Sequence, residues 1–125
     1  MPKVLVVDDE EQIRRILAEF LTKMGFEVIQ ASGGEEAIRL LKSGEQIDIF
    51  VVDMKMPKVT GSDVLKEKKM LNDVRPVIIL TGSITLEKDI GALKDLGVGP
   101  DDILTKPIDL FLFLEVVKKK LHMDE

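Results

Sequence analysis

The chain has 125 residues, 45% of them hydrophobic, and a net charge of −5 at neutral pH. That length predicts one domain with its own core. The negative charge argues against nucleic-acid binding by this domain alone, and the lack of cysteine excludes disulfides, thiol catalysis and zinc–thiolate sites. No apolar run is long enough to span a membrane, and the first residues carry no signal-peptide pattern. We therefore expect a cytoplasmic protein that does not bind membranes.

Short apolar runs rich in valine and isoleucine recur along the chain and mostly do not alternate with polar residues. This pattern is typical of strands buried on both faces of a sheet. The predicted strands are Val4–Val7, Val28–Ile29, Ile49–Val52, Val77–Leu80 and the weaker Ile103–Leu104.

Helical patterns lie between and after these strands. The clearest is a single apolar face that ends at Gly25 and consists of Ile13, Ile16, Leu17, Phe20, Leu21 and Met24. The second helix is predicted after a capping box at residues 32–35. Further helices are predicted over Gly61–Leu71, over Leu86–Leu96 and after Pro107, with Asp109 as the N-cap of the last one and Phe113 in the core.

Strand and helix therefore alternate five times, which predicts a parallel sheet covered by helices on both faces. We expect an α/β fold with a single doubly wound (βα)5 domain. If its five-stranded parallel sheet has the order 2-1-3-4-5, as in flavodoxin-like folds, strands 1, 3, 4 and 5 end side by side. The domain is predicted to occupy residues 1–125, with a core at about residues 3–121. The sequence contains no linker, repeat or low-complexity segment.

Reactive side chains follow four of the five predicted strands. Strand 1 ends in Asp8-Asp9, strand 3 in Asp53, strand 4 in Thr81 and strand 5 in Lys106. Because functional groups of open parallel sheets lie at the carboxyl ends of the strands, these side chains should converge at one edge.

Three carboxylates at one point suit a hard divalent cation that prefers oxygen ligands, of which Mg²⁺ is the expected one. An aspartate can also attack phosphorus to form an acyl phosphate. Lys106 and the Thr81 hydroxyl would then supply charge neutralisation and positioning. Taken alone, Asp8 and Asp9 are equally compatible with simple stabilisation of a helix N-terminus.

The four motifs together resemble the receiver domain of response regulators in two-component signal transduction. They are Asp8-Asp9, Asp53 followed by Met56-Pro57 and Gly61, Thr81-Gly82, and Lys106-Pro107. Each motif is weak alone, but all four occur in order and at the expected strand ends.

The resemblance implies a role for each matching residue. Asp53 would be the phosphoacceptor, and Asp9 and Asp53 would bind Mg²⁺ directly, together with the backbone carbonyl of Lys55. Asp8 would act through a metal-bound water. Lys106 and Thr81 would contact the phosphoryl group, and the Lys106–Pro107 peptide bond would be cis. No cofactor other than Mg²⁺ is implied.

The sequence departs from the family pattern at three places. Ile103 stands where the family usually has Tyr or Phe, so an aromatic switch is absent. Lys55 and Ser83 lie two residues after Asp53 and Thr81, at positions that influence phosphoryl lifetime in the family. The segment at residues 97–102 is longer than the common pattern, which predicts a reshaped loop before strand 5.

The last helix begins with five consecutive apolar residues, Leu110 to Leu114. One face cannot hide all of them, so Phe111 or Leu112 should face solvent and mark a partner surface. In receiver domains, helix 4, strand 5 and helix 5 commonly form such a surface. The expected partners are a sensor histidine kinase or phosphotransfer protein and a downstream protein, with a homodimer as one possible assembly.

The resemblance predicts a phosphorylation-dependent signalling switch that receives a phosphoryl group on Asp53 from a kinase phosphohistidine and slowly loses it again. As an enzyme it would catalyse only its own phosphorylation and dephosphorylation. An alternative is a receiver-like scaffold that binds partners without phosphorylation, which Ile103 slightly favours. A third interpretation is an aspartyl-phosphate hydrolase for small metabolites, although that class usually has D-x-D after its first strand and a cap domain.

Overall fold

A computed structural model describes residues 1–82 and 87–123, together with the side chains of all of these except residues 87–90. Strands and helices alternate along this part of the chain. The strands are β1 (Lys3–Val7), β2 (Glu27–Ala31), β3 (Ile49–Asp53), β4 (Val77–Thr81) and β5 (Ile103–Thr105). The helices are α1 (Glu11–Lys23), α2 (Gly34–Lys42), α3 (Gly61–Met70), α4 (Glu87–Asp95) and α5 (Leu110–Lys120), and a 3₁₀ turn covers Pro100–Asp102.

The five strands form one parallel sheet in the order β2-β1-β3-β4-β5. This confirms the predicted α/β class and strand order. The register aligns Val7 with Val52 and Asp53 with Leu80, so the carboxyl ends of the three central strands lie side by side. Thr81 at the end of β4 is in turn aligned with Thr105 at the end of β5.

Alternate side chains of the central strands face two separate hydrophobic clusters, because successive residues of a strand point to opposite faces. Helices α1 and α5 cover one face, where the fully or nearly fully buried residues include Val4, Val6, Leu17, Leu21, Ile78, Phe113 and Val117. Helices α2, α3 and α4 cover the other face, where they include Leu5, Val7, Ala37, Leu41, Val64, Leu65 and Leu93. The sheet is therefore enclosed on both sides, and its functional groups lie at its carboxyl edge.

Some details of the predicted helices are wrong. Ile16 and Met24 belong to the predicted apolar face of the first helix, but both side chains are exposed. The buried residues of α1 are Leu17, Ala18 and Leu21, so the buried part of its surface is narrower than the apolar pattern. The N-cap of α2 is Gly33, and the Ser32 amide and hydroxyl donate hydrogen bonds to Glu36 and not to Glu35. Leu86, the predicted start of α4, lies outside the described residues.

The predicted start of α5 is confirmed. The Asp109 carboxylate accepts hydrogen bonds from the Phe111 and Leu112 amides at 3.0 and 3.1 Å, as expected of an N-cap. Phe113 is fully buried, whereas Phe111 is 77% and Leu112 47% exposed. Both candidate surface residues therefore face solvent. Among the described residues, no helix combines the length and apolarity needed to cross a membrane.

Candidate functional site

The reactive side chains predicted from the sequence are positioned by backbone pairing at the carboxyl edge of the sheet. Asp53 is the last residue of β3, and Asp8 follows the last residue of β1. The Asp8 amide donates to the Ala31 carbonyl at 3.2 Å, which continues the β1–β2 ladder by one residue. At the other side, the Lys106 amide donates to the Thr81 carbonyl at 2.7 Å and brings the end of β5 against β4.

The Lys106 ammonium lies at the centre of the site. Its Nζ atom is 3.3 Å from Asp8 Oδ2, 3.4 Å from Asp53 Oδ1 and 3.2 Å from Glu10 Oε1. Asp8 is fully buried and Asp53 is 4% exposed. The structure thus places two buried carboxylates against one ammonium, which offsets part of their mutual repulsion.

Burial and charge shift the pKa values of this group. Burial in the sheet edge and, second, the neighbouring Asp8 carboxylate raise the pKa of Asp53 to about 6, against the opposing effect of Lys106. For Lys106, burial alone would lower the pKa of the ammonium, but Asp8, Glu10 and Asp53 outweigh it and the pKa is raised. At neutral pH, the site therefore holds an ionised lysine and a mostly ionised, poorly solvated aspartate.

Glu10 is a member of the site that sequence reasoning missed. One carboxylate oxygen each from Asp8, Glu10 and Asp53 lie within 4.8 Å of one another. Asp9, one of the four predicted metal-site residues, is exposed and does not belong to this close group. The run of acids at residues 8–11 was the available signal, but strand alternation could not say which of them turns inward.

Thr81 and Lys55, two further residues predicted to belong to the site, differ in burial. Thr81 is buried at 8% exposure beside the carboxyl end of β3. Lys55 is exposed and contacts Asp53 through its backbone amide, which donates to Asp53 Oδ1 at 3.4 Å. Ser83, the other position expected to influence phosphoryl lifetime, lies outside the described residues.

Two backbone features lie beside the site. The Lys106–Pro107 peptide bond is cis, as predicted. Gly61 begins α3 directly against the end of β3, where a Cβ atom would lie 2.5 Å from the Asp53 carbonyl oxygen and 2.8 Å from Met54 Cα. A glycine is therefore required for α3 to start this close to the phosphoacceptor candidate.

This chain is similar to curated regulators and to solved structures. It is 44% identical to the probable transcriptional regulator ycf27 of Porphyra purpurea over 84% of this chain and 41% of that protein. It is 36% identical to the transcriptional regulatory protein CpxR of Escherichia coli (strain K12) over 100% of this chain and 53% of that protein. The chain therefore spans between two-fifths and about half of the length of these relatives.

Solved structures match over nearly the whole of both chains. The chemotaxis protein CheY4 of Vibrio cholerae matches with a TM-score of 0.86 and 30% identity, covering 97% of this chain and 99% of that one. A response regulator receiver domain from Clostridium thermocellum matches with a TM-score of 0.85 and 34% identity, covering 98% and 95%. Residues 4–118 match the model of the response regulator receiver domain. The chain therefore belongs to the response regulator receiver domain family of two-component signal transduction.

Proposed function

We propose that this domain is a phosphorylation-dependent switch in which Asp53 accepts a phosphoryl group from the phosphohistidine of a sensor kinase or phosphotransfer protein. The observation that carries the proposal is the buried Asp53 carboxylate held 3.4 Å from the Lys106 ammonium. The raised pKa of Asp53, about 6, still leaves the carboxylate mostly ionised at neutral pH. A poorly solvated carboxylate of this kind suits nucleophilic attack.

In the proposed transfer, an Asp53 carboxylate oxygen forms a bond to phosphorus while the phosphorus–nitrogen bond to the donor imidazole breaks. The bonding electron pair returns to the ring nitrogen. Slow hydrolysis of the acyl phosphate by water regenerates the carboxylate and releases inorganic phosphate. Lys106 would neutralise charge on the phosphoryl oxygens, and the Thr81 hydroxyl at the neighbouring strand end would donate to them.

The donor set at this edge fits Mg²⁺, because carboxylate oxygens are the ligands this ion prefers and three of them lie within 4.8 Å of one another. Asp53 and Asp8 belong to that group. Asp9 and the Lys55 carbonyl are the further ligands that the family resemblance implies, with Asp8 acting through water. When bound, Mg²⁺ would neutralise charge on the transferring phosphoryl group.

The proposed readout surface is the face formed by α4, β5 and α5. Phe111 and Leu112, in the first turn of α5, are exposed beside the fully buried Phe113. Exposed apolar side chains next to one another favour a protein partner. We propose that a downstream protein, or a second copy of this chain, binds this face. Ile103 is partly buried against the core cluster of α2 to α4. We propose that repacking of Ile103 takes the place of an aromatic switch in the readout.

The rival function is a receiver-like scaffold that works without phosphorylation. One experiment separates the two: intact mass of wild type and Asp53→Asn after incubation with acetyl phosphate and Mg²⁺. We expect wild type to gain one phosphoryl group, and the gain to disappear in Asp53→Asn and with a chelator. If wild type binds Mg²⁺ and gains no phosphoryl group, the scaffold becomes the better interpretation.

A further inference from the structure

The carboxylates of Asp8, Glu10 and Asp53 all lie close to the Lys106 ammonium, but they differ in how easily they can move away from it. Asp8 and Asp53 are buried at strand ends, so neither can move without repacking the edge of the sheet. The Glu10 side chain is 59% exposed, although its Oε1 atom lies 3.2 Å from Lys106 Nζ. Of the three, Glu10 is therefore the partner that can be displaced into solvent at low cost.

The backbone of Glu10 is fixed while its carboxylate remains available. Its amide donates to Asp8 Oδ1 at 2.9 Å, and its carbonyl accepts from the Arg14 amide at 3.0 Å. Glu10 is the N-cap of α1, but its side chain makes no capping hydrogen bond. The side chain contributes to the site and not to the start of the helix, so its charge can be removed without loss of a cap.

We propose that Glu10 is a positioning residue that pairs with Lys106 in the unphosphorylated domain and releases it when Asp53 carries a phosphoryl group. This inference rests on the proposed function. A phosphoryl group brings about two negative charges, and a Glu10 oxygen lies within 4.8 Å of an Asp53 carboxylate oxygen. Glu10 therefore competes with the phosphoryl group for Lys106 and repels it, which keeps the resting level of phosphorylation low.

The test compares Glu10→Gln with Glu11→Gln, which removes the same charge one residue later. Glu11 is exposed, and its carboxylate pairs with Arg15 at 3.6 Å on the surface of α1. The readout is the steady-state ratio of phosphorylated to unphosphorylated protein, by intact mass, with limiting acetyl phosphate and saturating Mg²⁺. We expect Glu10→Gln to raise this ratio about two- to fivefold, the range of a partly exposed ion pair, and Glu11→Gln to leave it unchanged.

Two further measurements separate a charge effect from a structural one. Glu10→Ala should raise the ratio as much as Glu10→Gln, because both remove the charge and only one keeps the shape. The increase in this ratio should be smaller at about 0.5 M salt, because charges in solvent then interact over only a few ångströms. A change in side-chain packing would not depend on salt in this way.

The outcomes of this comparison are distinct. A lower ratio in Glu10→Gln, as expected if Glu10 were a required metal ligand, would overturn the inference, and so would a ratio equal to that of Glu11→Gln. In both cases wild type is phosphorylated and the proposed function stands. If wild type itself gains no phosphoryl group, both the proposed function and this inference are wrong.

Discussion

The Asp53 carboxylate lies 3.4 Å from the Lys106 ammonium, and yet its pKa is raised from 3.8 to about 6. Burial is the larger cause, and repulsion from Asp8 is the second. Because the folded domain binds the Asp53 proton more tightly than the unfolded chain does, ionised Asp53 destabilises the metal-free fold. The ionised Asp53 carboxylate therefore lowers the free energy of unfolding of the metal-free domain.

Asp53→Asn should therefore stabilise the metal-free domain. Above about pH 6 the full penalty of ionised Asp53 applies, and removing it should raise the free energy of unfolding by roughly 1–3 kcal/mol. As the pH falls through the window between about 6 and 3.8, wild-type Asp53 becomes protonated and the difference should disappear. Urea unfolding of both proteins in chelator, at several pH values, measures this dependence.

Asp95→Asn is the matched control, because Asp95 is exposed and the substitution is the same. It should leave the pH dependence of unfolding close to that of wild type. Added Mg²⁺ should stabilise wild type more than Asp53→Asn, since the variant lacks one proposed ligand. An Asp53→Asn domain that is less stable than wild type near pH 7 in chelator would contradict this account of the site.

Gly61→Ala should displace the backbone beside Asp53. The added Cβ atom would lie 2.5 Å from the Asp53 carbonyl oxygen, so α3 or the end of β3 must move. We expect a loss of about 2–4 kcal/mol in the free energy of unfolding, typical of steric strain at a close contact, and slower phosphorylation. Gly33→Ala is the control, because no atom lies within 4 Å of the position of its Cβ. Equal stabilities of the two variants, by urea unfolding, would argue against strain at residue 61.

Much of the fold could be predicted because valine- and isoleucine-rich runs and helical periodicity are local signals. The expected strand order is the one that makes the four reactive strand ends neighbours, and it is confirmed. The exposure of Ile16 and the position of the Glu10 carboxylate beside Lys106 could not be predicted, since both depend on how α1 is rotated against the sheet. A sequence pattern identifies an apolar face, but tertiary packing decides how wide the buried stripe is.

Lys55→Ala should shorten the lifetime of the aspartyl phosphate. The Lys55 amide donates to Asp53 Oδ1, so the exposed Lys55 side chain begins beside the position of a phosphoryl group on that residue, and we expect its ammonium to pair with that group. Loss of one exposed ion pair predicts decay about two- to fivefold faster. Intact mass at intervals after removal of acetyl phosphate gives the rate, and Lys66→Ala, an exposed lysine on α3, is the control. An unchanged lifetime would remove the Lys55 side chain from the mechanism.

Phe111→Asp tests the proposed partner face. Phe111 is 77% exposed, so the substitution should change the free energy of unfolding by less than about 0.5 kcal/mol, whereas Phe113→Ala, in the core, should cost about 3–5 kcal/mol. We expect phosphorylation of Phe111→Asp to match wild type, while any association of the domain induced by acetyl phosphate and Mg²⁺ is weakened at least severalfold. Light scattering coupled to size-exclusion chromatography measures that association. If wild type stays monomeric with and without phosphorylation, self-association is ruled out for this face, and a different downstream protein becomes its expected partner.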